Sequence, residues 1–238
     1  LMQERELDAL LVSNPNSRRY LTGYTDGDHA PDESGGILLV TRTGAVMHVS
    51  PNNVDWAQSE APHVSVSAWS YPWTTGMGEA IKTGNISTIG FEEESLSVSN
   101  FRQLNDAAGE SVAWLPLVGA VERLRAIKDA GEIEILAEAC RITDAALAVG
   151  ASALEAGMTE RELAAILDDA MRQDGGEGPG FSTIVASGPY AARPHHSPGD
   201  RRIEPGEPVI IDMGAEFRGY RADLTRTICA GEPTPELV

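Results

Sequence analysis

The chain has 238 residues, is 42% hydrophobic and carries a formal net charge of −18, which is enough apolar content for one large domain or two of ordinary size. The charge is spread evenly, each half carrying −9 when the chain is divided at position 120. No basic stripe or tail is available to neutralise phosphates, which argues against a nucleic-acid partner. No apolar run approaches the roughly 18 residues that span a bilayer, so no membrane partner is expected.

The two cysteines, Cys140 and Cys229, belong to no ligand-spaced group and are expected to be buried thiols, with a reducing cytoplasm as the expected setting. No charged segment followed by an apolar stretch opens the chain, and its first residue is Leu1, so the sequence is expected to begin slightly inside the natural protein.

In chain order, Leu10 to Val12 reads as a short buried strand ending in the turn Ser13-Asn-Pro-Asn16, with a helical stretch beginning over Arg18 to Leu21. Gly36 to Thr41 and Ala45 to Ser50 are β-rich runs around a glycine-containing turn, a hairpin signal. Strands are expected at Val64 to Ala68, Thr88 to Phe91 and Val112 to Leu115, and helices at Val54 to Glu60, Thr75 to Ile81 and Val98 to Ala107, which together make an α/β domain. From Ala120 to Glu155, Ile133, Leu136, Ala137, Cys140, Ala145 and Leu147 recur at helical spacing. A second long helix starts at Thr159-Glu-Arg-Glu162, a Ser/Thr-x-x-Glu capping pattern, and runs to about Gln173. After the glycine-rich loop 175–180, Phe181 to Ser187 returns the chain to a strand. The domain boundary is expected between Pro116 and Glu122.

The chemistry concentrates in Gly206 to Thr227, where two strands bracket a tight turn. With the turn centred between Phe217 and Arg218, Asp212 and Asp223 face each other, about 5 Å apart at Cβ. Two like charges buried that close call for a cation between them, and one metal ion or a pair would serve. Taken alone, Asp212 reads as a turn cap with Gly214 and Asp223 as an exposed strand residue after the hairpin, and the pair His195-His196 reads as loop decoration.

The wider pattern weighs against that. The run Ile184-Val-Ala-Ser-Gly-Pro-Tyr-Ala-Ala-Arg-Pro-His-His196, then Asp212-Met-Gly and Gly219-Tyr-Arg-Ala-Asp223-Leu-Thr-Arg-Thr227, resembles the first half of the pita-bread domain shared by prolidase, aminopeptidase P and creatinase, the M24-type metallopeptidases. Residues 10–114 resemble that family's N-terminal domain more loosely. The implied architecture is an α/β creatinase-like N-terminal domain, residues 1–118, followed by the first half of an α+β pita-bread domain, residues 119–238.

The resemblance implies two divalent metal ions, Mn before Co or Zn, held by two Asp on this hairpin and by one His and two Glu further on, with a bridging hydroxide attacking the scissile carbonyl. Asp212 and Asp223 match the two Asp positions, Asp223 being the one that reaches both metals. His195 matches the histidine that hydrogen-bonds the substrate carbonyl, while His196 and Arg226 receive no role. Thr225, two residues after Asp223 on the same side of a strand, is a candidate hydrogen-bond partner for a metal-site carboxylate. The implied substrate is a proline-containing peptide cleaved at an Xaa-Pro bond, and a homodimer is the expected assembly. A non-catalytic peptide- or protein-binding relative and a creatinase-like amidinohydrolase are the alternatives, with methionine aminopeptidases third. All five histidines lie before position 197. The family's ligand His and both ligand Glu are therefore expected beyond Val238, after a helix opening at Pro233 to Glu236, and residues 1–238 alone are expected to be inactive.

Overall fold

The computed structural model describes residues 1–28 and 34–235. The chain divides into two compact units, residues 1–127 and 128–238. The first is built on β1 (Ala9–Val12), α1 (Pro15–Thr22), β2 (Ile37–Thr41), β3 (Ala45–Val49), α2 (Val54–Glu60), β4 (Ser65–Ala68), α3 (Trp73–Thr83), β5 (Thr88–Glu92), α4 (Val98–Ala108), β6 (Ala113–Leu117) and α5 (Glu122–Ala126). Its six strands form one sheet in the order β4-β3-β2-β1-β5-β6. β1 is antiparallel to β2 and parallel to β5. Alternate residues of β1 enter different cores. Ala9 and Leu11 pack with Met77, Ile81 and Leu104 of α3 and α4, whereas Leu10 and Val12 pack with Met47 and Ala57. Burial on both faces is why this strand is continuously apolar rather than alternating.

α1 starts earlier than its sequence pattern suggests. The Asn14 side chain accepts from Asn16 N and Ser17 N, and Pro15 fills the first turn, where its missing N–H costs nothing. Two buried polar groups hold this corner. The Arg18 guanidinium, fully buried, donates to the carbonyls of Gly36 and Asp26 and to Asp28 Oδ1. Glu92, at the end of β5, accepts from Ser13 N and Asn14 N, and burial pushes its carboxyl above the ordinary range.

The second unit contains α6 (Ala130–Ala153), α7 (Glu160–Gln173), β7 (Gly178–Pro179), β8 (Ile184–Ser187), β9 (Pro208–Met213), β10 (Ala215–Phe217), β11 (Tyr220–Arg221) and β12 (Leu224–Cys229). Both helices open with reciprocal capping boxes, Asp129 with Glu132 and Thr159 with Glu162. They approach closely at Gly150, where any Cβ would overlap the Leu167 side chain. The face of α6 that reaches the core is Ala139, Ile142, Thr143, Ala146 and Gly150. The stripe expected from sequence through Ile133 and Cys140 is not that face: Ile133 is 57% exposed. The expectation of two buried thiols is corrected accordingly, since Cys140 is exposed and Cys229 half-buried.

Ile142, Leu163, Leu167 and Met171 pack on Val185, Val209, Ile211 and Met213, seating the helices on one face of the antiparallel sheet β12-β9-β8. Thr143 Oγ1 accepts from Ala215 N at 2.9 Å, fixing α6 to β10. The helix expected to open at Pro233 to Glu236 runs into residues 236–238, outside the described residues. Among the described residues no helix is long and apolar enough to cross a membrane.

Candidate active site

β9 alternates. Val209, Ile211 and Met213 are buried, and Pro208, Ile210 and Asp212 turn to the opposite face and stay half-buried. Asp212 lies between Ile184 of β8 and Thr225 of β12. The Thr225 hydroxyl donates to Asp212 Oδ1 at 2.9 Å, which orients the carboxylate.

The hairpin register differs from the sequence expectation. Arg218 and Gly219 both take positive φ, 50° and 80°, the two-residue turn whose twist matches antiparallel strands. Phe217 therefore pairs with Tyr220, and Asp212 pairs with Thr225 rather than Asp223. Asp223 falls just before β12 and is exposed. With one carboxylate half-buried and the other exposed, desolvation does not by itself demand a cation between them.

Gly214 brings the two segments together. A Cβ at this position would overlap the Ala222 carbonyl, so only a glycine lets β9 run this close to the chain leading into Asp223. Gly214→Ala should lower the stability of the second unit by about 1–3 kcal/mol, the usual cost of overpacking. Gly131→Ala, whose new methyl would meet only Asp129 Oδ1 at 3.5 Å, should not lower it. Urea unfolding of both variants checks the contrast.

Among the described residues no group of three or more His, Cys, Asp or Glu side chains is placed to hold a metal ion. Asp212 and Asp223 alone do not fit a divalent transition metal, which takes four or more ligands.

His195 is exposed and adopts φ 57°, a left-handed conformation rare for a residue with a Cβ. His196 behaves differently. Its Nε2 lies 2.8 Å from Glu160 Oε2, and its ring packs 4.9 Å from that of Tyr190. The Glu160 side chain is fully buried and also accepts from Ser187 N at 2.9 Å, Ser187 Oγ at 2.7 Å and Gly199 N at 3.2 Å. Arg201 donates to Ser187 Oγ and forms a two-pronged pair with Glu207.

Burial would raise the Glu160 carboxyl, but hydrogen bonds from His196, Ser187 and Gly199 outweigh it and hold the group below the ordinary glutamate range. A carboxylate depressed on folding stabilises above its unfolded value and loses that contribution as pH falls through the folded one. Acid unfolding should therefore be shallower for Glu160→Gln than for the parent chain over that interval, as circular dichroism against pH would show.

Sequence reasoning singled out His195, Asp212 and Asp223, and the structure places all three in the second unit. It gave His196 no role and did not single out Glu160. Thr159-Glu-Arg-Glu162 was readable only as a helix start, and nothing local reveals that the first Glu of that pattern turns inward to a loop far along the chain.

An α/β unit followed by helices packed on an antiparallel hairpin sheet is the arrangement of creatinase-type hydrolases. The Creatinase/Prolidase N-terminal domain matches residues 1–127, more than half of the chain, which therefore belongs to that family; Metallopeptidase family M24 matches residues 134–238. The Xaa-Pro dipeptidase of Pyrococcus horikoshii is 32% identical over 233 residues, covering 98% of this chain and 62% of the relative. The structure of an Xaa-Pro dipeptidase from Bacillus anthracis superposes with a TM-score of 0.89 at 32% identity, covering 99% of this chain and 64% of the other. An X-Pro aminopeptidase from Thermotoga maritima gives 0.85 at 32% identity, covering 99% and 65%. The chain thus spans a little under two thirds of the length of these relatives.

Proposed function

We propose that this chain supplies the N-terminal domain and part of the catalytic domain of a metal-dependent peptidase that hydrolyses Xaa-Pro bonds of dipeptides or peptide N-termini. The observation that carries the reading is the occurrence of His195, Asp212 and Asp223, in that order, on a backbone that matches an Xaa-Pro dipeptidase with a TM-score of 0.89 over 99% of its length. In this reading Asp212 and Asp223 lend their carboxylates to a divalent-metal centre, Mn before Co or Zn, whose other ligands lie outside residues 1–238. The Thr225 hydroxyl keeps one Asp212 oxygen pointed along a fixed direction. His195, on its exposed loop, presents an imidazole N–H to the carbonyl oxygen of the scissile bond, where negative charge develops during attack.

The test is to prepare the natural full-length protein and residues 1–238 side by side, supply Mn, and follow release of proline from an Xaa-Pro dipeptide. Turnover by the full-length protein alone supports the reading. A metal-loaded full-length protein that binds proline peptides without cleaving them would favour the non-catalytic alternative, and cleavage of creatine would favour the amidinohydrolase. Turnover by residues 1–238 would show that the site needs no further ligands.

A further inference from the structure

We infer that Glu160 and His196 are a positioning pair for His195: by holding His196 between a buried carboxylate and the Tyr190 ring, they fix the left-handed backbone that presents the neighbouring imidazole. The inference rests on the proposed role of His195 and adds two residues to which the sequence assigned none.

One carboxylate holds the loop at three points. Glu160 bonds Ser187 where β8 ends, Gly199 where the loop leaves, and the His196 ring between them. Glu160 itself sits in the capped first turn of α7 with its side chain fully buried. The Ser187 hydroxyl accepts from Arg201 at 2.6 Å while donating to Glu160, so a cation braces the anchor from behind. Tyr190 closes the other side of the His196 ring and in turn carries the Arg193 guanidinium 4.0 Å above its own face.

His195 stands between Pro194 and this fixed ring. Its φ of 57° is a conformation unfavourable for an L-residue, and such geometry persists only where the surroundings over-determine it. The surroundings here reach His195 through His196. His195 itself is exposed, and no side-chain bond of its own holds it among the described residues.

Removing the His196 ring should therefore let His195 relax to extended conformations and misplace its imidazole, a kind of error that can cost up to about 100-fold in rate. In the natural full-length protein, His196→Ala should lower kcat about 10-fold per folded molecule with little change in KM. His196→Gln should restore most of the loss, because its amide Nε2 lies as many bonds from Cβ as the imidazole Nε2 and can still donate to Glu160. In the His195→Ala background, His196→Ala should have no further effect on kcat.

A second readout needs no turnover. In residues 1–238, the backbone chemical shifts and 15N order parameter of His195 should report an ordered left-handed residue that becomes mobile in His196→Ala and recovers in His196→Gln. If His195→Ala loses activity while His196→Ala keeps both kcat and an ordered His195, the positioning inference is overturned and the site reading survives. Additive losses in the double variant would also overturn it, because His196 would then act by another route. If His196→Ala mobilises His195 but His195→Ala leaves kcat intact, the mechanical link holds and the catalytic assignment of His195 is what fails.

Discussion

Asp223→Asn should reduce Xaa-Pro hydrolysis by the natural full-length protein by more than about 100-fold while leaving its unfolding midpoint nearly unchanged. The stability half of this expectation comes from the structure. Asp223 is exposed and makes no side-chain hydrogen bond among the described residues, so its charge contributes little to folding, and surface substitutions of this kind stay within about 0.5 kcal/mol. The activity half comes from the proposed role. Altering groups that merely support a metal ligand costs about 10–100-fold, and replacing a ligand carboxylate by a neutral amide should cost more. Metal content measured on the same samples should fall together with turnover. Asp212→Asn should behave similarly, because the Asn carbonyl can still accept from Thr225 and the strand pairing is preserved. A full complement of metal with wild-type turnover in either variant would remove that Asp from the site.

His195→Ala should lower kcat by about 10² to 10⁴, the range for losing an acid/base or oxyanion partner, while metal content is retained. Because the residue is exposed, loss of packing would not explain such a fall. Its positive φ allows a sharper version. His195→Gly removes the imidazole from a backbone conformation that glycine adopts without strain, so this variant should be at least as stable as the parent and just as inactive. A stable, inactive glycine variant separates chemistry from folding more cleanly than alanine does. Loss of metal in either variant would instead mean that His195 ligates rather than contacts substrate.

What could be read from the sequence was mostly what short stretches decide for themselves. The capping pattern at Thr159, the β2–β3 hairpin and the apolar run of β1 each depend on neighbours within a few residues, and each formed where the pattern placed it. The hairpin carrying the aspartates was misregistered because its turn centre depends on which two residues accept positive φ. Gly219 after Arg218 was the available signal, and moving the centre by one position exchanges Asp223 for Thr225 opposite Asp212. α6 misled for another reason: a long helix with apolar residues on several sides does not disclose which side its partners will cover. The contact between Glu160 and His196 joins residues 36 positions apart and depends wholly on how α7 docks against the β8 loop. The family pattern singled out His195 and the aspartates as candidates, but it carried no information about how this loop is held.

β12 closes one side of its three-stranded sheet, and among the described residues no strand pairs with its outer side. Thr225, Arg226 and Thr227 are exposed there, next to Ile228. An open strand rich in β-branched residues invites pairing with the same strand of another molecule. Arg226 opposes this, because stacking one copy on another in register would bring like charges together. In concentrated preparations of residues 1–238, Arg226 is thus placed to act as a gatekeeper at this edge, alongside the repulsion of a net charge of −18.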